Sequence, residues 1–148
     1  VRRRAKALAV VAALAVTVGV WGWTRVTPPV TEAEARRYLD RIVAAAQAHD
    51  LERVCRLNGA VLNCRETLRV IGGPSTTPTT PPAVVGTRYL KKQKGGTAGM
   101  VLIVTGTDGN GKAYRSEVMV FREDRSHFKA INAVYWSGLT IGREVSPP

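Results

Sequence analysis

The sequence holds only two cysteines and two histidines, His49 and His127. Two thiols cannot by themselves make a four-ligand structural zinc site, and the histidines are few. Cys55 and Cys64 are not spaced as C-x-x-C, which excludes a thioredoxin-like redox motif. Catalytic signatures are missing as well: there is no HExxH, no G-x-S-x-G and no P-loop. Gly106, Gly109 and Gly111 do not complete G-x-G-x-x-G and fit a hairpin instead. Asp108 and Asn110 open a calcium-loop spacing, but the twelfth position is Met119 in place of the bidentate Glu. No metal, cofactor or catalytic residue is therefore expected. Acidic residues are scarce, 11 Asp+Glu against 22 Lys+Arg, for a formal charge of +11. Long apolar runs are scarce too, and a single candidate span excludes a multi-pass membrane protein. The hydrophobic fraction of 45% argues against whole-chain disorder.

That one span dominates the N-terminus. Arg2, Arg3, Arg4 and Lys6 precede an uncharged run from Ala7 to Trp23. At 1.5 Å per residue the run reaches roughly 25 Å, the short end for a spanning helix. Trp21 and Trp23 stand at its far end, where aromatic rings favour the membrane–water boundary. The basic cluster predicts a cytoplasmic N-terminus and an extracytoplasmic remainder. A cleaved signal peptide is the competing reading. Ala13-Leu14-Ala15 has cleavage-site residues but lies inside the apolar run. If cleaved, the remainder is secreted. No Cys closely follows the run, which argues against a lipoprotein. Val1 at the first position fits a non-AUG start or a trimmed N-terminus. The expected organisation is an anchor over 1–25, a spacer over 26–30 stiffened by Pro28-Pro29, a domain over 31–140 and a tail over 141–148.

In an exported chain an even pair of cysteines reads as a disulfide, here Cys55–Cys64. Thr31-Glu32-Ala33-Glu34 is a capping box, and Ala35, Tyr38, Leu39, Ile42, Val43 and Ala46 recur at helical spacing. They predict an amphipathic helix over 32–48, with His49 capping its end. Asp50 caps a short second helix carrying Leu51, Val54, Cys55 and Leu57, ended by Asn58-Gly59. Asn63-Cys64-Arg65-Glu66 repeats the capping logic and opens a third helix to about Ile71, stopped by Gly72-Gly73. The stretch from Gly73 to Pro82 reads as a surface loop, with O-glycosylation as a rival reading. Strands are expected over Ala83–Lys91, Met100–Thr107, Lys112–Arg122 and His127–Trp136, joined by short Gly/Asn/Asp-rich connections. The remaining tail from Ser137 reads as an ordered edge that frays.

Helices followed by an antiparallel meander predict an α+β domain, three helices packed on a curved antiparallel sheet of about four strands. This order, the His49-Asp50-Leu51 step and the closing Ala133-Val134-Tyr135-Trp136 strand resemble the nuclear transport factor 2-like superfamily, the cystatin-like or polyketide cyclase-like cone. The resemblance covers about residues 31–136. It implies a curved sheet closed over by helices and, since small membrane-anchored members occur in bacterial envelopes, an envelope role. The family includes enzymes, binding proteins and scaffolds, so fold does not give function.

A cone places any pocket on its concave face. Phe128, Ala130, Asn132, Val134 and Trp136 share a face by period two, which leaves Asn132 among apolar neighbours. A two- or four-residue connection before this strand sets Glu117 opposite Asn132; a three-residue one with a bulge sets Ser116 there. An inward Glu117 would have its pKa raised by desolvation, as a general acid or base requires. Asn132, Glu117, Trp136 and Tyr114 are thus the candidate pocket residues. For Tyr114 and Trp136, and for Tyr38, plain core packing competes with that role; for Glu117, plain solvation does. Arg88, Lys91, Lys92 and Lys94 form a basic cluster that meets anionic lipid or wall polymers, or else protects a strand edge from pairing. Nucleic acid is not an expected partner. The leading functional expectation is a non-enzymatic, single-pass envelope protein that binds a protein partner or assembles a complex. The rival is a small-molecule-binding or isomerase-like cone.

Overall fold

A computed structural model describes residues 27–92 and 96–142. The predicted anchor over 7–23, Lys94 and the end of the tail lie outside the described residues. Among the described residues no helix is long and apolar enough to cross a membrane. The helices are α1 (Glu32–Gln47), α2 (Leu51–Leu57) and α3 (Val61–Ile71), followed by a 3-10 turn over Gly73–Thr76. The strands are β1 (Ala83–Leu90), β2 (Gly99–Thr107), β3 (Ala113–Arg122) and β4 (Phe128–Ile131). They form one antiparallel sheet in the order β1-β2-β3-β4. This is the expected α+β class.

The Thr31 capping box forms as the sequence dictates: the Glu34 N–H donates to Thr31 Oγ1 at 3.2 Å, and the Thr31 N–H donates to Glu34 Oε2 at 2.9 Å. The other Glu34 oxygen accepts from Arg122 at the end of β3, 2.6 Å away. Helix start and strand end are thereby tied together. The buried stripe of α1, with Tyr38, Leu39, Ile42 and Ala46, packs against one sheet face carrying Leu102, Val104, Val118 and Val120. Inside that layer the Tyr38 hydroxyl donates to the Leu57 carbonyl at 2.9 Å, linking α1 to α2.

Asp50 caps α2 as expected, accepting from the Arg53 N–H at 2.9 Å. His49 takes a left-handed φ of 55° just past the α1 C-cap, and its N–H donates to the Ala46 carbonyl. The third helix departs from expectation. It starts at Val61 after Ala60, so Asn63 is an interior residue and Glu66 pairs with Arg69 instead of closing a cap. The reason is tertiary. Asn58 accepts from the Ala133 N–H at 3.0 Å and donates to the Ala60 carbonyl at 2.8 Å, while the Gly59 N–H donates to the Ala130 carbonyl. The chain is pinned to β4 at 58–59 and coils immediately afterwards. The Cys55–Cys64 disulfide then joins α2 to α3, with both cysteines buried.

The Thr/Pro segment is a second correction. Residues 73–76 form a 3-10 turn, and Thr76, Thr77 and Pro78 are buried. Two long-range bonds hold Thr76: its Oγ1 accepts from Trp136 Nε1 at 3.1 Å and its carbonyl accepts from the Gly109 N–H at 2.9 Å. Gly109 permits that docking, since a Cβ there would lie 2.4 Å from the Ser75 carbonyl oxygen. Thr76 and Thr77 are therefore closed to a glycosyl group.

The last strand is the third correction. β4 ends at Ile131 because Asn132 adopts φ 61°, which no strand accommodates. The Asn132 amide donates to the Glu117 carbonyl at 2.9 Å, and its Oδ1 accepts from Ser137 at 2.8 Å. Between these clamps Ala133, Val134, Tyr135 and Trp136 turn inward as four consecutive buried residues. The closing Ala133–Trp136 strand does not form. The segment after Ser137 then returns along β3, where Leu139 accepts from the Glu117 N–H at 2.9 Å.

Candidate functional site

The sheet alternation decides where each predicted pocket residue goes. Val118 and Val120 face the helices, so Glu117 and Met119 face the other way. Glu117 lies on this outer face opposite Ile103, paired with Arg88 of β1 at 2.7 Å. The returning tail completes a reciprocal knot. Ile141 N–H donates to Glu117 Oε2 at 2.9 Å, and Arg88 donates to the Ile141 carbonyl at 2.9 Å. A carboxylate oxygen so shared holds a segment of chain in place.

Tyr114 and Trp136 belong to the helix side. Tyr135 stacks edge-on to Trp136 at 4.9 Å between centroids and tilts against Tyr114 at 6.1 Å. These rings pack against one another in the core, beside the end of α3 and the 3-10 turn. Asn132 stands at the turn after β4. The four predicted residues are thus split between the outer face, the filled interior and a turn, and no single pocket collects them. The connection before β4 has five residues, because Arg122 pairs with Phe128 and Met119 with Ile131. Neither expected pairing partner of Asn132 is met, and Asn132 follows the last paired residue.

Desolvation pushes the phenols of Tyr38 and Tyr114 up to about 12, and that of Tyr135 higher. A spectrophotometric titration is expected to show these rings ionising well above pH 10, the ordinary tyrosine value. The unfolded chain loses its phenolic protons near ~10 and the folded chain holds them. The stability they contribute is therefore full below that value and declines as pH rises towards 12. Unfolding midpoints that stay constant across this window would contradict the burial of these rings. At the β3–β4 connection, the Ser126 and His127 N–H groups and the His127 ring hold the Asp124 carboxyl well below its usual range.

Tyr114 and Trp136 do line a recess of about 490 Å³, together with Asp108, Lys112 and Ser137, and a more apolar one lies elsewhere. A groove of about 400 Å³ runs between β4, the α2–α3 junction and the returning tail. Its apolar lining includes Phe121, Ile131, Val134 and Leu139, with the amides of Asn58, Asn63 and Asn132 at its polar positions. Ile131 and Leu139 are 42% and 50% exposed at its rim. Sequence reading missed this groove. The signal for a covered second face was present in the unbroken apolar run Met100–Val104, since a strand apolar on both sides is buried on both sides. Arg88 was assigned to the basic cluster and is in fact the partner of Glu117. Lys91 and Lys92 remain exposed at the end of β1. Among the described residues no group of three or more potential metal ligands assembles. In comparisons with family models, curated proteins and solved structures, nothing matches this chain.

Proposed function

We propose that the chain is a single-pass envelope protein whose extracytoplasmic domain is non-enzymatic and binds a protein partner beside the membrane. The observation that carries this reading is the filled interior. Tyr135 and Trp136 occupy the layer between helices and sheet, and the candidate acid Glu117 is neutralised by Arg88 on the opposite face. Among the surface recesses, the one beside β4 has mainly apolar walls with amide groups, a composition that suits the side chains and backbone of another protein. Anchoring is supported by the basic residues ahead of Ala7–Trp23, and export by the Cys55–Cys64 bond. The rival reading, a small-molecule binder or isomerase-like cone, calls for an inward carboxylate, and Glu117 points outward. The likeness to the nuclear transport factor 2-like cone is supported by element order and by the His49-Asp50-Leu51 step. Its third feature drops out with the Ala133–Trp136 strand.

The test is a photo-crosslinking side chain placed at Ile131 or Leu139 of the full-length protein in its native membrane. A discrete protein adduct is expected at both positions and not at Val85 on the far edge of the sheet. Placing Asp at the groove position not carrying the probe should abolish the adduct while the folded signal is kept. Equal crosslinking at all three sites, or adducts indifferent to the Asp substitution, would remove the groove as the binding surface. An alkaline phosphatase fusion after residue 142 checks the topology separately and should be active.

A further inference from the structure

We infer that the end of the domain bearing the β1–β2 hairpin lies on the membrane, with Lys91 and Lys92 against the phosphates of anionic lipid headgroups. This deepens the anchored reading and rests on it. The chain joins the domain at this same end. Pro28 and Pro29 line a surface groove of about 860 Å³ together with Tyr89, Lys92, Ala98 and Glu123. The approach is fixed, since Val30 is buried in the core and Thr31 is locked into its cap. Only Thr24, Arg25 and Val26 separate Trp23, the end of the apolar run, from Thr27. Four residue steps span at most about 14 Å. Thr27 is thereby held within about two screening lengths of the end of the run, each about 8 Å in physiological salt.

The charges at this end leave the lysines available. Of the acidic groups there, Glu32 is paired with Arg36 and Glu34 with Arg122. Asp124 is held by its own hairpin, and Glu123 is the remaining exposed carboxylate. Against these stand Arg37, Arg125, Lys91 and Lys92, all exposed, and neither lysine has an ion-pair partner among the described residues. Tyr89, 43% exposed beside the lysines, adds an aromatic ring of the kind that favours the headgroup region. Each lysine near an anionic surface is worth about fivefold in the docking equilibrium, so the pair is worth roughly 25-fold.

The experiment uses the full-length protein in nanodiscs of phosphatidylcholine alone or with about 30% phosphatidylglycerol. A fluorophore is attached at Thr97→Cys, beside the hairpin, or at Asn110→Cys, on the β2–β3 connection at the opposite end, and the discs carry a headgroup quencher. Strong quenching is expected at position 97 and weak quenching at 110, with the phosphatidylglycerol discs giving the larger effect at 97. Lys91→Glu with Lys92→Glu should erase the phosphatidylglycerol dependence and leave the circular dichroism spectrum unchanged. Equal quenching at the two positions overturns the orientation, and quenching at 97 that ignores both lipid charge and the substitutions overturns the lysine–headgroup contact; the anchor stands in either case. Failure to incorporate into either disc rejects the anchor and the orientation with it. Loss of quenching on adding a soluble anionic wall polymer, with no response to phosphatidylglycerol, would assign the lysines to that polymer and also overturn the inference.

Discussion

Replacing Tyr135 by alanine is expected to destabilise the domain by about 3–5 kcal/mol, as large buried aromatics do. Tyr135 is fully buried and lies between Trp136 and Tyr114, so its removal opens a void that the two flanking ring systems must collapse into. The companion substitution sharpens the expectation. The Tyr135 hydroxyl is buried with no hydrogen-bond partner among the described residues. Tyr135→Phe discards a desolvated polar group and retains the ring, so stability should stay level or rise by up to about 1 kcal/mol. Denaturant unfolding of the full chain in detergent, followed by near-ultraviolet circular dichroism, separates the two. A phenylalanine variant that loses as much as the alanine variant would mean that the hydroxyl has a partner and that the aromatic layer is more than packing.

Opening the Cys55–Cys64 bond, by serine at both positions, is the second large effect. Closing a loop with a sequence separation of 9 restricts the unfolded chain. The chain-entropy model then assigns a loss of roughly 2–3 kcal/mol on removal. The consequence should be local before it is global. The bond joins α2 to α3, and the α2–α3 junction forms one wall of the β4 groove. Faster amide exchange across α2 and α3, with α1 and β2 still protected, is the expected pattern. A doubly substituted chain with unchanged unfolding and exchange would show that Asn58 and the helix packing suffice to hold that wall.

How far the residues alone foretold this structure varies along the chain, and the variation has a physical basis. The Thr31 box and the Asp50 cap were legible because both partners of each bond lie within four residues. The first three strands were legible to within about a residue, since apolar, β-branched runs bounded by short glycine-rich connections leave little freedom. The Asn63 cap was a false positive. The local pattern was as good as that at Thr31, but the pinning of Asn58 and Gly59 to β4 started the helix three residues earlier. The final segment was misread for a related reason. Apolar residues from Ala130 to Trp136 fit a strand, and nothing local announces that Asn132 will take a left-handed conformation and send them into the core.

The candidate pocket failed on register. Glu117 is adjacent to Val118, so a single-residue difference in pairing decides whether it faces the helices or Arg88. Packing of Val118 and Val120 on the helices turns it to Arg88, and what Asn132 meets depends on how five connecting residues fold around Asp124 through hydrogen bonds from Ser126 and His127. Short-range chemistry written in the amino acids settled the α+β class, the pairing of the two cysteines and the ends of most elements, because each depends on spacing alone. Contacts between residues 29 to 88 positions apart decided the rest: Arg88 with Glu117, Asn58 with Ala133, Trp136 with Thr76 and Glu34 with Arg122. Only in the folded chain are such groups close enough to compete, and there the strongest available partner wins over the nearest one in sequence.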